Sequence, residues 1–326
     1  MKKKLAEMEN TILVKSNLLK DLKVKEEEIK KKMEENKDPR KNSISTNPRG
    51  FDNNFQISLE EIDFGNEDVE IGKGTFGDVK KALWRKEQVA VKFLKQDLVN
   101  CSSSEDNINA FIEECNMLKN LRHPNILLFM GFSISPPVYF IVTEFCENGN
   151  LFELLHQHVK IPLTWEDNRR IALEVALGMN YLHSFEPPIL HRDLKSMNVL
   201  LDRNMQVKIA DFGSTKFLEV QMTKQKGTFQ WMAPEVIKGS SYTEKADVYS
   251  YGIIMHELAS RKPPYYGDPK KEVAKNVATK PDYRPAISRS FPKDWVDLMT
   301  KCWDHNPNKR PNFSDVIDKL MNMKFR

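Results

Sequence analysis

Residues 191–213 read HRDLKSMNVLLDRNMQVKIADFG, from His191 to Gly213. Two apolar runs, Val199–Leu201 and Val207–Ala210, stand on either side of Asp202, Arg203 and Asn204, and those three residues favour a turn. The pattern predicts a β-hairpin between two loops, one carrying Asp193, Lys195 and Asn198, the other carrying Asp211. Such a hairpin brings Asn198 and Asp211 together as hard oxygen ligands suited to Mg²⁺. Asp193 then stands in front of them as a base or orienting group for a hydroxyl. A tripeptide such as DFG says little alone: Asp63-Phe64-Gly65 is a second copy ahead of any site and is set aside. The ordered eight-residue pattern H-R-D-L-x-x-x-N, followed one hairpin later by D-F-G, is far more specific than either piece.

Working outward toward the N-terminus, Ile71-Gly72-Lys73-Gly74-Thr75-Phe76-Gly77-Asp78-Val79 contains G-x-G-x-x-G. In a dinucleotide fold these glycines would open a helix. Here Val79, Lys81 and Leu83 alternate instead, charged Arg85–Glu87 follow, and Val89, Val91 and Phe93 alternate again. The glycines therefore belong to a hairpin flap whose backbone N–H groups can approach phosphate oxygens without a Cβ in the way. Strand alternation places Ala90 and Lys92 on one face, the small residue against a flat base and the ammonium toward phosphates. A helix is expected from about 107 to 121, buried through Phe111, Leu118 and Leu121. Glu114 falls on the same face, where a carboxylate is costly without a cation, and Lys92 is the expected partner.

Strands are expected over 126–132 and 138–143. The stretch Thr143-Glu144-Phe145-Cys146-Glu147-Asn148-Gly149 then loses strand character and reads as a hinge between a small and a larger lobe. Backbone groups of Glu144 and Cys146 are positioned there for an adenine edge. Beyond it the chain is mainly helical. Thr164 and Asp167 form a capping-box pattern ahead of a helix striped by Ile171, Val175, Gly178 and Leu182. After Gly213 comes a polar loop with Thr215, Thr223 and Thr228, ending at Trp231-Met232-Ala233-Pro234-Glu235. A helix over about 246–259 and the segment Cys302-Trp303 to Arg310-Pro311 complete the large lobe.

The 326 residues are 40% hydrophobic, enough for a sizeable core, and no apolar run approaches a membrane span. The opening MKKK is followed by no apolar h-region, which argues against a signal peptide. Cys101, Cys115, Cys146 and Cys302 lack metal-ligand spacing and disulfide density, so a reducing, cytoplasmic location is expected. Residues 1–50 hold 14 Lys/Arg against 9 Asp/Glu, leaving 36 against 37 for the remainder. The larger part is therefore no electrostatic magnet for nucleic acid. Within residues 2–37, Leu5, Met8, Ile12, Leu19, Leu22, Ile29 and Met33 follow steps of three and four, with Lys15 and Glu26 interrupting the register. This is an a/d seam, predicting a coiled-coil helix at 1–37 and self-association through it. Pro39, Pro48, Gly50 and several Ser and Asn make the following stretch a flexible linker, with a lead-in over 57–64; linker and lead-in together occupy 38–63.

The sequence from about Phe64 to Arg326 resembles a eukaryotic protein kinase domain. HPNILLFMGF, TEFCENGNL, GTFQWMAPEV and CWDHNPNKRPNF make it similar to the tyrosine-kinase-like group of Ser/Thr kinases, near the Raf and mixed-lineage branches. The resemblance implies an α+β bilobal fold, with a small lobe over 64–143, a hinge over 144–149 and a large lobe over 150–326. It implies transfer of the γ-phosphate of Mg·ATP, or Mn·ATP, to Ser or Thr of protein substrates in intracellular signalling. Gly72, Gly74 and Gly77 would cover the phosphates together with Lys73, Thr75 and Phe76, and Ile71, Val79, Ala90, Thr143, Glu144, Cys146 and Leu200 would line the nucleotide. Lys92, held by Glu114, would position the α- and β-phosphates, Asn198 and Asp211 would bind the metal, Asp193 would orient the hydroxyl, and Lys195 would steady the γ-phosphate. By the same resemblance Thr143 is the gatekeeper, and Leu118, Phe129, His191 and Phe212 form a spine between the lobes. Glu235 with Arg310, and Asp247 against the catalytic loop, are expected to be structural. Arg192 beside Asp193 is a cation that a phosphate could satisfy, which makes Thr223 the candidate phosphosite. Lys195 and the Gly227-Thr228 pair fit a Ser/Thr kinase; dual or tyrosine specificity is the alternative, and a pseudokinase scaffold is opposed by the presence of Lys92, Asp193, Asn198 and Asp211.

Overall fold

The computed structural model describes residues 55–65, 69–73, 77–94, 104–136, 138–212 and 229–325. The coiled-coil segment, the linker up to residue 54, Gly74, Thr75 and Phe76 of the flap, and the loop with Thr215, Thr223 and Thr228 lie outside the described residues. The chain divides into two compact units. Of Met1–Asn54 with Phe64–Asp68, only Phe64 and Gly65 are described; the other unit, Phe55–Asp63 with Val69–Arg326, carries all that follows.

Alternating apolar residues build the small lobe as one antiparallel sheet. Its strands are β1 (Ile62–Asp63), β2 (Glu70–Lys73), β3 (Asp78–Trp84), β4 (Glu87–Phe93), β5 (Phe129–Ser133) and β6 (Phe140–Glu144), in the order β1-β3-β4-β6-β5 with β2 also paired to β3. In β4, Val89 and Val91 are fully buried while Ala90 and Lys92 face the other way, as the two-residue period of a strand requires. The expected strands at 126–132 and 138–143 are displaced: the apolar residues Ile126 to Leu128 precede β5, and Ile126 instead bridges to Ile209. Helix α1 spans Ser104–Leu118 rather than 107–121. Leu121 is buried, but in the turn after the helix. Periodicity placed the apolar face correctly and missed the ends, which turn geometry decides.

The lead-in joins the sheet earlier than its composition indicates. Ile57 N–H donates to the Phe132 carbonyl at 2.8 Å, and the Phe55 ring lies 5.9 Å from that of Phe129. Residue 131 must be glycine for this strap to lie so close, because a Cβ there would run into Ile57 and the Phe55 carbonyl. Ser58 then caps a 3-10 turn over Leu59–Glu61 with a complete capping box, and β1 pairs Ile62 with Trp84. Residues 55–63, placed in the linker by composition, thus cross from β5 to β3.

The large lobe surrounds α5 (Lys245–Ser260), whose residues Ala246 to Leu258 are all buried, the signature of a helix enclosed on every side. Around it are α2 (Leu151–His156), α3 (Trp165–His183), α4 (Pro234–Ile237), α6 (Lys270–Thr279), α7 (Lys293–Cys302) and α8 (Phe313–Asn322). Thr164 and Asp167 make the expected capping box, and Ile171, Val175, Gly178 and Leu182 are buried along α3. The expected hairpin forms from β7 (Val199–Leu201) and β8 (Val207–Ile209), with Val199 opposite Ile209, and packs on α3.

Candidate active site

One ion pair between the lobes joins residues 119 apart in sequence. Lys92 Nζ lies 2.6 Å from Asp211 Oδ1, with 21% and 49% of the two side chains exposed. Burial works against the Lys92 ammonium, but the charges of Asp211 and Glu114 outweigh it and hold its pKa up at about 12. The Lys92 charge does the reverse for Asp211, holding its carboxyl below the usual value against the effect of burial. Lys92 keeps its charge below its ordinary 10.5 and loses it only as pH rises through about 12, while Asp211 loses its charge only as pH falls below its ordinary 3.8. Both are charged throughout the neutral range. Glu114 acts on both groups through space, and burial pushes its own carboxyl up despite Lys92. Glu114, expected as the partner of Lys92, does act on it by charge, and Lys92 also pairs with Asp211.

Asp193 sits in a loop that is fixed from beneath. Asp247 on α5 accepts the backbone N–H groups of His191 and Arg192, each at 2.9 Å, and the His183 ring at 2.9 Å. Burial would raise the Asp247 carboxyl, but its His183 partner and the nearby His191 bring it below the usual range. This clamp holds Arg192 at φ 67°, and Asp211 has φ 57°. Side chains rarely adopt that region unless their surroundings impose it. Lys195 Nζ reaches Asp193 Oδ2 at 2.6 Å, and Asn198 donates to the Asp193 carbonyl at 2.8 Å. Asp193 Oδ1 is buried and, among the described residues, has no hydrogen-bond partner. The Ala210 N–H donates to the Asn198 carbonyl at 2.9 Å, so the hairpin does bring the loops of Asn198 and Asp211 together. Phe212 is buried with its ring 6.1 Å from that of His191. Of the other residues expected in the spine, Phe129 is buried in the sheet and Leu118 packs on the large core.

Of the residues expected to line the nucleotide, Ile71, Gly72 and Lys73 lie in β2 and Val79 in β3. Gly77 is a steric necessity, since a Cβ there would occupy the Phe93 carbonyl. Ala90 faces Thr143 across the β4–β6 pair. Glu144 still belongs to β6, so the hinge proper begins at Phe145. Its carboxylate accepts the Leu128 N–H at 2.8 Å and meets Lys208 at 3.2 Å. Leu201 N–H donates to Gly149 and Leu200 bridges Asn150, which ties the hinge to the hairpin. Burial pushes the Cys146 thiol up to about 12, so it is protonated and unreactive at neutral pH.

Arg310 holds Glu235 with two bonds of 2.6 and 2.9 Å, as expected. Motif reading missed Glu257, a fully buried carboxylate on α5 that meets three donors. Its signal was available: one acidic residue inside the near-continuous apolar run YSYGIIMHELA.

Two lobes meeting at Lys92 and Asp211, with a pinned loop carrying Asp193 below them, define a bilobal protein kinase fold. The chain belongs to the protein tyrosine and serine/threonine kinase family, which it matches over residues 66–320. It is 40% identical over 265 residues to the probable serine/threonine-protein kinase drkA of Dictyostelium discoideum, covering 81% of this chain and 40% of that protein. It is 40% identical over 254 residues to the serine/threonine-protein kinase CTR1 of Arabidopsis thaliana, covering 77% and 30% respectively. A 38% identity over 295 residues links it to the dual specificity protein kinase splA of Dictyostelium discoideum, covering 83% and 12%. The chain thus spans 40% or less of the length of these relatives. These similarities agree with the tyrosine-kinase-like group that the sequence motifs resemble.

Proposed function

We propose that this chain is a protein serine/threonine kinase that transfers the γ-phosphate of ATP to Ser and Thr hydroxyls of protein substrates. The observation that carries the reading is Asp193 Oδ1, a buried acceptor without a partner among the described residues, in a loop that also holds Lys195 and Asn198, together with the Lys92–Asp211 pair between the lobes. A substrate hydroxyl would supply the missing donor. Its oxygen bonds to the γ-phosphorus, the bond to the bridging oxygen of ADP breaks, and the hydroxyl proton passes to Asp193. Because the transferring group is strongly anionic, most of the acceleration comes from positioning and from cations already in place, here Lys92 and Lys195.

Members of this family work with ATP and a divalent metal. Asn198 and Asp211 offer a carbonyl and a carboxylate oxygen, and among the described residues no cluster of three or more His, Cys, Asp or Glu exists. Few protein oxygens, with phosphates and water completing the shell, is the mode Mg²⁺ favours, and Mn²⁺ fits it too. When bound, the metal neutralises phosphate charge. Ser/Thr specificity rests on Lys195 and on the names of the relatives. Arg192 Nε is buried and, among the described residues, has no hydrogen-bond partner, which supports a phosphate at Thr223 as its ligand. Self-association through residues 2–37 and a cytoplasmic location complete the proposal; free Cys115, Cys146 and Cys302 fit a reducing compartment, and no helix among the described residues is long and apolar enough to cross a membrane.

Radiolabelled Mg·ATP with a protein substrate tests the reading. Lys92→Met and Asp211→Asn are each expected to lower transfer by at least roughly a hundredfold with thermal unfolding little changed. Near-wild-type transfer by either would remove these residues from their assigned roles.

A further inference from the structure

Lys81 carries a charge on the face of the sheet that looks into the cleft, and the chemistry described so far gives it no task. Directly opposed residues of an antiparallel pair share a face. Lys81 on β3 is opposed to Ala90 on β4, and Ala90 in turn to Thr143 on β6. The same face carries Val79 opposite Lys92, whose ammonium meets Asp211 of the other lobe. Lys81, Ala90 and Thr143 therefore form one row across three strands. Lys81 is half-buried there, and among the described residues it takes part in no ion pair.

Its ammonium lies instead over the Phe145 ring, 4.5 Å from the centroid. Phe145 is the first residue after β6 and opens the hinge. β4 separates β3 from β6, a span of roughly 10 Å at the usual spacing of strands. A contact between Lys81 and Phe145 must therefore cross the cleft face of β4. The residue opposed to Lys81 on that strand is Ala90, whose single methyl leaves the path open. A cation over an aromatic face within about 6 Å of its centre is held by the ring quadrupole. β3 also begins at Asp78, directly after Gly77, so Lys81 stands on the strand from which the flap hangs.

We propose that Lys81 is a positioning residue for the nucleotide, and that its cation–π contact with Phe145 ties the strand behind the flap to the hinge. This inference rests on the kinase reading above and deepens it. A purine base against Ala90, with its edge on the backbone of residues 144–146, would have Thr143 on one side and the Lys81–Phe145 pair on the other. The pair fixes how far the ceiling of the slot stands from the hinge before any nucleotide arrives. Its loss leaves the slot looser and lowers affinity for ATP. The transfer step is spared, because Asp193 and Lys195 belong to the other lobe.

Direct calorimetric titration of the full chain with Mg·ATP tests this, alongside steady-state kinetics with casein as the phosphate acceptor. Lys81→Gln removes the charge at similar reach. It is expected to raise Kd and KM for ATP roughly three- to tenfold, the range of a partly buried cation–π contact. In the same variant kcat and the KM for casein are expected to stay within about twofold of wild type. Lys81→Arg is expected to keep wild-type affinity, because a guanidinium also stacks on an aromatic face. Phe145→Leu is expected to match Lys81→Gln, and the double variant to be no worse than either single one, since both break one contact. Unchanged ATP affinity in Lys81→Gln, losses that multiply in the double variant, or a Lys81→Arg as weak as Lys81→Gln would each overturn the proposal. So would a loss of affinity in step with a lower melting temperature, which would mean a purely structural role. A wild type that binds Mg·ATP but transfers nothing would bring down the kinase reading alone, because the titration still reads the Lys81 contact. A wild type that binds no ATP would bring down both.

Discussion

His191 is enclosed to 1% exposure, and among the described residues neither ring nitrogen has a hydrogen-bond partner. Burial lowers its pKa below the ordinary 6.5 in spite of Asp247 and Asp193 nearby. A histidine held neutral in this way contributes fully above pH 6.5, and its contribution is lost as pH falls from there through the folded value, because the unfolded chain takes up the proton first. Its ring still packs on Phe212, and a benzene ring could do the same. His191→Phe is therefore expected to match or exceed the wild type in melting temperature at pH 7.5, removing two unsatisfied nitrogens that cost about 1 kcal/mol or more each. At pH 5.5 the advantage of the variant should widen. Calorimetry at the two pH values checks this, and parallel changes in both proteins would contradict it. The Lys92–Asp211 pair behaves differently: both partners stay charged across the neutral range, so any limb of the pH–rate profile near neutrality must come from another group.

Among the elements, the strap over residues 55–63 shows how a few residues outside an apparent domain become part of its core. Ile57 is 2% exposed and fills the space that Gly131 leaves open, so truncating it removes buried surface that nothing else can cover. Ile57→Ala is expected to cost about 2–4 kcal/mol, or a fall of roughly 5–10 °C in melting temperature for a domain of this size. Glu60→Ala on the exposed turn serves as the control and should stay within about 0.5 kcal/mol of wild type. The Phe55 ring also lies under the Arg122 guanidinium, at 6.0 Å, just beyond the turn that ends α1. The strap and the helix that carries Glu114 therefore share a support. Slower phosphoryl transfer by Ile57→Ala below its melting point would show that the strap bears on the cleft as well as on stability.

For the whole molecule, the seam within residues 2–37 leads to a prediction about assembly. A helix of this length would extend roughly 50 Å at 1.5 Å per residue, with an apolar stripe that a second copy could bury. Lys15 and Glu26 in the seam would weaken the pairing while restricting its register. Two kinase domains on flexible tethers would then meet at high effective concentration. Light scattering should find a dimer for the full chain and a monomer for one beginning at Gly50. Thr223 should be phosphorylated more slowly in the short form at low concentration, as followed by mass spectrometry. A full chain that remains monomeric at tens of micromolar, roughly the range of weak association, would end this account.

Read from the sequence alone, the molecule was already ordered: flap, Lys92, Glu114, hinge, Asp193 loop, hairpin and Asp211 follow one another at spacings that fit one fold. The β7–β8 hairpin and the capped start of α3 were legible because turn chemistry and hydrophobic period are local properties. The α5 helix was legible as a long apolar run for the same reason. What the tertiary structure decided lies in contacts between residues far apart in the chain. Lys92 pairs with Asp211, 119 residues away; Asp247 reaches back 56 residues to the His191 backbone; Glu257 gathers Ser196, Trp231 and His156; and the 55–57 strap finds its place over Gly131. No local pattern encodes such partners, because they are chosen by which buried charge or backbone group is left unsatisfied once the lobes have packed.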